Sequence, residues 1–382
     1  MQQFTLPDLH SMCPLKDATN PHHKSAAAES RAWINSFRVF SDEKRAEFIA
    51  GSNELLVSHA YPFASYERFR VCCDFINTLF VVDEISDVQN GVDALSTGMI
   101  YLNVLKDPTW DDGSKLAQIS REFRARLHKH AKPNCQRRFY QTCADYVDAV
   151  GKEAEYRVQG KVLDLDSYEK LRRDNSAVYA CFAIFEYALD IDLPDEVVEH
   201  PTFKNLQDWG CDLVCWANDI YSYDTEQSKG LEGNNIVTVL MEANGFNLQQ
   251  AVDRAGRIWG DLMDRFVEER KRLPSWGPEL DRDVNRYVDA IGHWVVGNLC
   301  WSFESQRYFG SALEEVKRTG IVRLRPRRVK TKSDEIRIYG NQTKNLSRSP
   351  FGVRSVQASM SYLLICTLFL LWLYHAPIFE SL

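Results

Sequence analysis

The sequence predicts an all-α fold, one domain of roughly ten or more helices around a central cavity, and three observations predict it. Glycine (19) and proline (13) are scarce for 382 residues, which disfavours a turn-rich all-β architecture. Apolar residues recur three or four apart along most of the chain from Ser25 to Phe309, the period of an amphipathic helix. Between residues 25 and 310 there is no convincing strand run, no internal repeat and no linker. With 45% of its residues hydrophobic, the chain has ample material for a core, so disorder is excluded as its overall state.

Residues 1–24 read as an irregular arm, because Pro7, Pro14 and Pro21 interrupt any periodicity. Ser65–Asn90 is the first long helical stretch, with Phe69, Cys72, Cys73, Ile76, Leu79 and Phe80 tracing an apolar stripe. Trp110–His130, Gln136–Gln159 and Asp166–Leu189 continue the pattern. Pro194 and Pro201 mark a connection before Phe203–Tyr223. Gly230 and Gly233 open a loop, and helix returns over Ile236–Ala243 and Leu248–Leu273. Pro274, Gly277 and Pro278 then break it, leaving Glu279–Phe309 as a last long helix. Several of these helices are apolar nearly all round, as expected where they line a cavity or core.

The net charge of −7 is unevenly spread. Arg323–Arg348 holds nine Lys/Arg against two Asp/Glu, a balance of +7, while Arg354 and Glu380 cancel, so the first 322 residues carry −14. A body that acidic excludes nucleic acid as the partner, since phosphate contacts need clustered cations. The ten cysteines show no C-x-x-C spacing, and reduced thiols buried in helices are the expectation rather than zinc or disulfides. The polar stretch Gln2–Asn20 lacks a secretory signal pattern, so the body is expected in the cytoplasm.

Two helical stretches carry chemistry. In Phe80-Val-Val-Asp83-Glu84-Ile-Ser-Asp87, Asp83 and Asp87 stack on one face, with Phe80 a turn earlier. Like charges at i,i+4 weaken a helix, so this pair calls for solvent or a cation, and carboxylates hold Mg²⁺ while a phosphate completes its shell. In Asn218-Asp219-Ile-Tyr-Ser222-Tyr-Asp-Thr-Glu226, Asn218, Ser222 and Glu226 share a face at i, i+4 and i+8. Amide, hydroxyl and carboxylate oxygens form a hard-oxygen set suited to a second Mg²⁺. A solvated acidic face and a polar helix end are the bland alternatives. Lys229 follows in a glycine-bearing segment, where its ammonium could reach an anion. Arg172-Arg173 enters an otherwise apolar, aromatic helix, and Arg307-Tyr308 stands near the end of the last helix, with Trp301 seven residues before Tyr308 and on its face. Two metal faces, several cations and many aromatics suit a diphosphate held through metals with its hydrocarbon part in an apolar pocket.

These residues resemble those of the class I terpene synthases, and specifically the fungal, basidiomycete-type sesquiterpene synthases. The match consists of Asp83-Glu84-x-x-Asp87, the triad Asn218/Ser222/Glu226, an Arg 46 positions before the triad's Asn (Arg172), and Arg307-Tyr308, over roughly residues 5–325. The resemblance implies a helical domain over 25–325 and three Mg²⁺ ions, held by Asp83 with Asp87 on one side and the triad on the other. Arg172, Lys229, Arg307 and Tyr308 would bind the substrate diphosphate, and Phe80 and Trp301 would shelter the carbocation. The reaction implied is ionisation and cyclisation of farnesyl diphosphate, by a monomer or homodimer. Trp301-Ser-Phe-Glu-Ser-Gln-Arg307-Tyr308-Phe-Gly310 is similar to enzymes that cyclise farnesyl diphosphate, some closing a 1,11 ring toward protoilludene-type products. Asn175 and Ser176 depart from the residues many relatives carry after Arg172. The alternatives are a chain-elongating prenyltransferase, which would want a second Asp-rich motif in place of the triad, and a non-catalytic tail-anchored isoprenoid-binding protein.

Residues 326–382 exceed the usual length of the family. The uncharged run 355–379 meets the length of a bilayer span, so this extension reads either as a tail anchor or as a misassembled gene model; only the former brings a membrane partner.

Overall fold

The computed structural model describes residues 2–327, and most of them fold as helices. Strand β1 (Gln3–Thr5) and a single turn, α1 (Leu9–Met12), precede α2 (His23–Ser36), α3 (Asp42–Ala50), α4 (Asn53–Ala60) and α5 (Tyr66–Ser86). Next come α6 (Gly91–Lys106), α7 (Lys115–Leu127), α8 (Pro133–Gln159), α9 (Leu165–Asn175), α10 (Val178–Ala183) and α11 (Phe185–Leu189). The chain continues through α12 (Asp195–Val198), α13 (Pro201–Lys229), α14 (Ile236–Asn244), α15 (Leu248–Arg270), α16 (Pro278–Glu304) and α17 (Leu313–Thr319), ending in β2 (Ile321–Arg323). No helix among the described residues is long and apolar enough to cross a membrane. The extension 326–382, with the run 355–379, lies outside the described residues except for Pro326 and Arg327.

Local chemistry sets the ends of the long helices. Proline occupies the first turn of α8, α13 and α16, where its missing N–H costs nothing. Gly230, at φ 74°, closes α13, and the Leu231 N–H reaches back to the Glu226 carbonyl. α15 opens with a capping box between Asn247 and Gln250.

Four sequence expectations need correction. The stretch Asp166–Leu189 is not one helix: the Ser176 hydroxyl donates to the Arg173 carbonyl at 2.9 Å and accepts the Val178 N–H at 3.1 Å. That local side-chain bonding competes with the helical ladder, and Ala177 turns left-handed at φ 59°. The last long helix ends at Glu304 rather than Phe309, so Arg307 and Tyr308 sit in a turn beyond it. α6 falls where the sequence pattern signalled nothing. Finally, the N-terminal arm is partly ordered as strand, since β1 pairs antiparallel with β2, Phe4 opposite Val322, tying the two ends of the domain together.

α13 and α16 pack against each other, with α9, α10 and α14 flanking α13 and α4 against α16; α5 packs on α2 and α4. The core is aromatic, Phe75, Phe123 and Phe139 meeting at centroid distances of 5.0–6.0 Å. The nine described cysteines are all unpaired.

Candidate active site

A cavity of about 720 Å³ opens between α5, α8, α9, α13 and α16, within the size range of small-molecule sites. All eleven residues singled out from the sequence line it: Phe80, Asp83, Asp87, Arg172, Asn218, Ser222, Glu226, Lys229, Trp301, Arg307 and Tyr308.

The α5 side of the cavity is crowded with carboxylates. Asp83 lies in the last turn of α5, and Asp87 is its C-terminal cap, its N–H bonded to the Asp83 carbonyl at 2.9 Å. Burial pushes the Asp83 carboxyl up to about 8, helped by the charges of Asp87 and Glu84 against that of Arg307. Asp87 is also raised by burial, while the charges of Lys229 and of Arg157, which donates to the neighbouring Ser86 and Gln89 carbonyls, oppose the rise. Glu84 behaves oppositely. Its burial penalty is overcome by Arg307 and Lys44, which hold the carboxyl down at about 2. Arg307 Nη1 donates to Glu84 Oε1 at 2.8 Å, and the Lys44 ammonium of α3 grips the other oxygen.

The α13 side presents the triad. The Ser222 hydroxyl donates to Glu226 Oε1 at 2.6 Å, and Asn235 Nδ2 donates to Glu226 Oε2 at 3.0 Å. Burial and the charge of Asp219 push the Glu226 carboxyl up to about 7. Asn218 Oδ1 accepts from Arg172 Nη2 at 2.8 Å, while Asn218 Nδ2 donates to the Tyr308 hydroxyl at 2.6 Å. Asp219, which points away from the triad's face, is buried and joins three elements. It accepts Arg172 Nε at 2.9 Å, the Ile236 N–H at 2.7 Å and the Tyr168 hydroxyl.

Donor chemistry decides which ion these residues fit. Two buried carboxyls face an oxygen triad, and carboxyls whose ionised form burial disfavours in this way are relieved by a hard divalent cation. Among the described residues lining the cavity there is no histidine. Magnesium fits that set.

Part of the cavity's wall is apolar and aromatic. Trp301 is anchored by its indole N–H to the Gly51 and Ser52 carbonyls at 2.9 and 3.1 Å. Its ring lies 6.3 Å from Phe80 and 5.6 Å from Tyr308, although Tyr308 is beyond the helix the two were expected to share. Ile76, Leu79, Val178, Val214 and Trp294 continue the lining.

Sequence reasoning missed Lys44, Glu153, Arg157 and Tyr146, which also line the cavity. Glu153–Arg157, an ion pair of 3.0 Å at i,i+4, could have been found from its spacing, but Lys44 and Tyr146 leave no local signal. Arg173, adjacent to Arg172, is turned elsewhere: it makes a two-pronged bond to Asp212 at 2.7 and 2.6 Å. Outside the cavity, Asp17, His59 and Cys300 bring ligand atoms within 4.8 Å of one another. Both His59 ring nitrogens already face carboxylates there, Asp17 at 2.8 Å and Glu304 at 3.3 Å.

The profile of terpene synthase family 2, C-terminal metal binding, matches residues 74–265, half of the chain and both acidic faces. The chain belongs to the terpene synthase family. This makes it an enzyme, a terpene cyclase of the carbon–oxygen lyase class. A Coprinopsis cinerea protein named linoleate 10R-lipoxygenase COP4 is 56% identical over 325 residues, 85% of this chain and 94% of its own. The bifunctional terpene synthase Agr4 of Cyclocybe aegerita is 55% identical over 326 residues, with 85% and 94% covered. Sesquiterpene synthase 1 of Postia placenta is 42% identical over 326 residues, with 85% and 96% covered. Among solved structures, an α-eudesmol synthase superposes with a TM-score of 0.69 at 23% identity, covering 77% of this chain and 98% of that one, which shows the shared class I fold.

Proposed function

We propose that this terpene synthase is a sesquiterpene cyclase that ionises farnesyl diphosphate with Mg²⁺ and closes the resulting cation to a cyclic hydrocarbon, its catalytic domain spanning residues 25–325. One observation carries the reading: Asp83/Asp87 and Asn218/Ser222/Glu226 face one cavity that also holds several arginines and lysines and an apolar, aromatic patch around Phe80, Trp294 and Trp301. The sesquiterpene synthase name of the Postia relative supports the fifteen-carbon substrate.

Bound magnesium would supply Lewis-acid stabilisation of a departing diphosphate. Asp83 and Asp87 would hold it from α5, and Asn218, Ser222 and Glu226 from α13. The family resemblance sets the expected count at three ions. Arg172, Lys229, Arg307 and Tyr308 would donate hydrogen bonds to the diphosphate, placing positive charge where negative charge develops. Arg307 stacks over the Phe80 ring at 4.9 Å, so the cation-binding end and the aromatic wall are contiguous. Phe80 and Trp301 then present ring faces to the carbocation, and closure keeps water from quenching it. Within this reading the ring closure we put forward is C1 to C11, on the likeness of the Trp301–Gly310 segment.

A chain-elongating prenyltransferase is not favoured, because α13 carries Asn218, Ser222 and Glu226 where that chemistry uses a second Asp-rich motif. The lipoxygenase name of the Coprinopsis relative finds no counterpart in an oxygen-only donor set without histidine. Incubation with farnesyl diphosphate and Mg²⁺, followed by analysis of volatiles, tests the proposal. A cyclic hydrocarbon lost with chelator or with Asn218→Ala supports it; longer diphosphates, or no turnover of any prenyl diphosphate, would overturn it.

A further inference from the structure

We propose that Arg325, in the segment after β2, is a positioning residue that holds the Arg307–Tyr308 turn and the triad helix in one geometry; this rests on the cyclase reading above. Arg325 Nη2 donates to the Tyr308 carbonyl at 2.7 Å, and Nη1 donates to Thr225 Oγ1 at 3.1 Å. Its Nε pairs with Asp224 Oδ2 at 3.1 Å. The backbone joins in: the Arg325 N–H donates to Asp224 Oδ1 at 2.6 Å, and its carbonyl accepts from Gln227 Nε2 at 2.8 Å. Asp224, Thr225 and Gln227 interleave on α13 with Ser222 and Glu226. One residue thus spans the metal-facing helix and the diphosphate-facing turn.

That turn is held by side chains rather than by helix, the Arg307–Glu84 pair among them. α16 ends at Glu304, so Arg307 and Tyr308 inherit no helical hydrogen-bond ladder. Tyr308 is instead held at both ends. Its hydroxyl accepts from Asn218 Nδ2 at 2.6 Å, and its carbonyl accepts from Arg325 and, at 3.3 Å, from the Thr225 hydroxyl. Asp224 is buried, and a buried carboxylate is stable only while paired, so the arginine fork and the helix depend on each other. Arg325 in turn is placed by its own strand: the Leu324 N–H donates to the Gln2 carbonyl at 2.9 Å as the β1–β2 pairing continues. The small sheet therefore anchors a splint that ends at the diphosphate site. Catalytic groups must be held to about half an ångström, and a misplacement near 1 Å costs on the order of a hundredfold in rate.

A lysine at 325 keeps a charge for Asp224 but cannot bridge three acceptors, because its donors sit on a single atom. In the full chain, Arg325→Lys and Arg325→Gln are expected to lower kcat about tenfold while KM for farnesyl diphosphate stays within about threefold. Inorganic diphosphate carries the charge that the substrate acquires only as its bond breaks. Its affinity with Mg²⁺, read by calorimetry, should therefore also fall about tenfold in both variants. The melting temperature of Arg325→Lys should stay within about 2 °C of the parent, which separates positioning from folding. Should Arg325→Gln not fold, Arg325→Lys carries the test alone. Parental kcat and diphosphate affinity in Arg325→Lys, or losses that only follow the folded fraction, would overturn the assignment. A parent that turns over no prenyl diphosphate sinks the cyclase reading instead, and diphosphate calorimetry on the same variants still decides the role of Arg325.

Discussion

Arg307 and Glu84 are joined by a 2.8 Å ion pair across 223 residues of chain, while the same guanidinium lies over the Phe80 ring. The second acid of the Asp83-Glu84-x-x-Asp87 motif therefore pairs with cations of the protein itself, Arg307 and Lys44, although it lines the same cavity as Asp83. Held ionised at about 2, Glu84 orients Arg307 at every working pH. Glu84→Gln is expected to lower turnover about tenfold while the Mg²⁺ concentration for half-maximal rate stays within about threefold. Asp83→Asn is expected to raise that concentration more than tenfold. Kinetics against Mg²⁺ for both variants check the division; equal metal defects would show that Glu84 is a ligand after all.

Metal binding should release protons. Without a cation, burial raises Asp83 to about 8 and Glu226 to about 7, so at pH 7 the first is mostly and the second about half protonated, and a divalent ion must displace those protons. Mg²⁺ affinity should then rise from pH 6 to 8.5, and titrations in buffers of different ionisation heat should register the release. The same shifts act on stability. A carboxyl whose folded pKa lies above its unfolded value favours folding at low pH, and that contribution is lost as pH rises through the folded pKa. The metal-free protein should melt progressively lower between about pH 5 and 8, and the melting-temperature gain from Mg²⁺ should be larger at pH 8 than at pH 6. A flat gain would count against a metal site built on these two groups.

The residues legible in the sequence are those whose positions follow from one helix. Asp83 with Asp87, and Asn218 with Ser222 and Glu226, share faces by the 3.6-residue period alone, whatever surrounds them. Tertiary partners are a different matter. Nothing local distinguishes Lys44 from any surface lysine, yet it closes on Glu84 from another helix. The break after Asn175 was also hidden, because serine and alanine lack the signal that glycine or proline gives, and the Ser176 hydroxyl competes with the helix only by local bonding.

Trp301 anchors the aromatic wall through its indole N–H. Trp301→Phe keeps a ring near Phe80 and Tyr308 but strands the Gly51 carbonyl, buried with its residue, at a cost of about 1–2 kcal/mol. The variant should fold, retain measurable turnover and yield an altered product ratio by gas chromatography with mass detection. An unchanged ratio would place the ring outside the path of the carbocation.

α6 escaped the sequence pattern for a reason that also makes it testable. Its outward positions Val92 and Met99 are exposed and apolar, while the side facing α8 includes Gly91 and Gly98, so the usual contrast between faces is lost. Gly98 is small of necessity: a Cβ there would collide with the Val147 methyls, one of them at 2.8 Å. Gly98→Ala should destabilise the protein by about 1–3 kcal/mol, read as a lower urea midpoint, with turnover per folded molecule unchanged. Adding Val147→Ala should recover part of the loss by making room.

The adjacent arginines provide the sharpest contrast between catalytic and structural charge. Arg172 reaches Asn218 and Asp219 and lines the cavity, whereas Arg173 is spent on Asp212 and Asp208 of the same partner helix. Both pairings stabilise the contact between α9 and α13, so either deletion should lower the melting temperature. Only the first group can also donate to a diphosphate. Arg172→Lys keeps the charge but loses the fork that spans Asn218 and Asp219, and turnover should fall at least a hundredfold with the fold intact. Arg173→Lys should keep turnover within about threefold and show its loss in the melting temperature alone. Single-turnover assays beside thermal melts of the two variants check this. Equal kinetic defects would mean that Arg172 acts only by fastening the two helices.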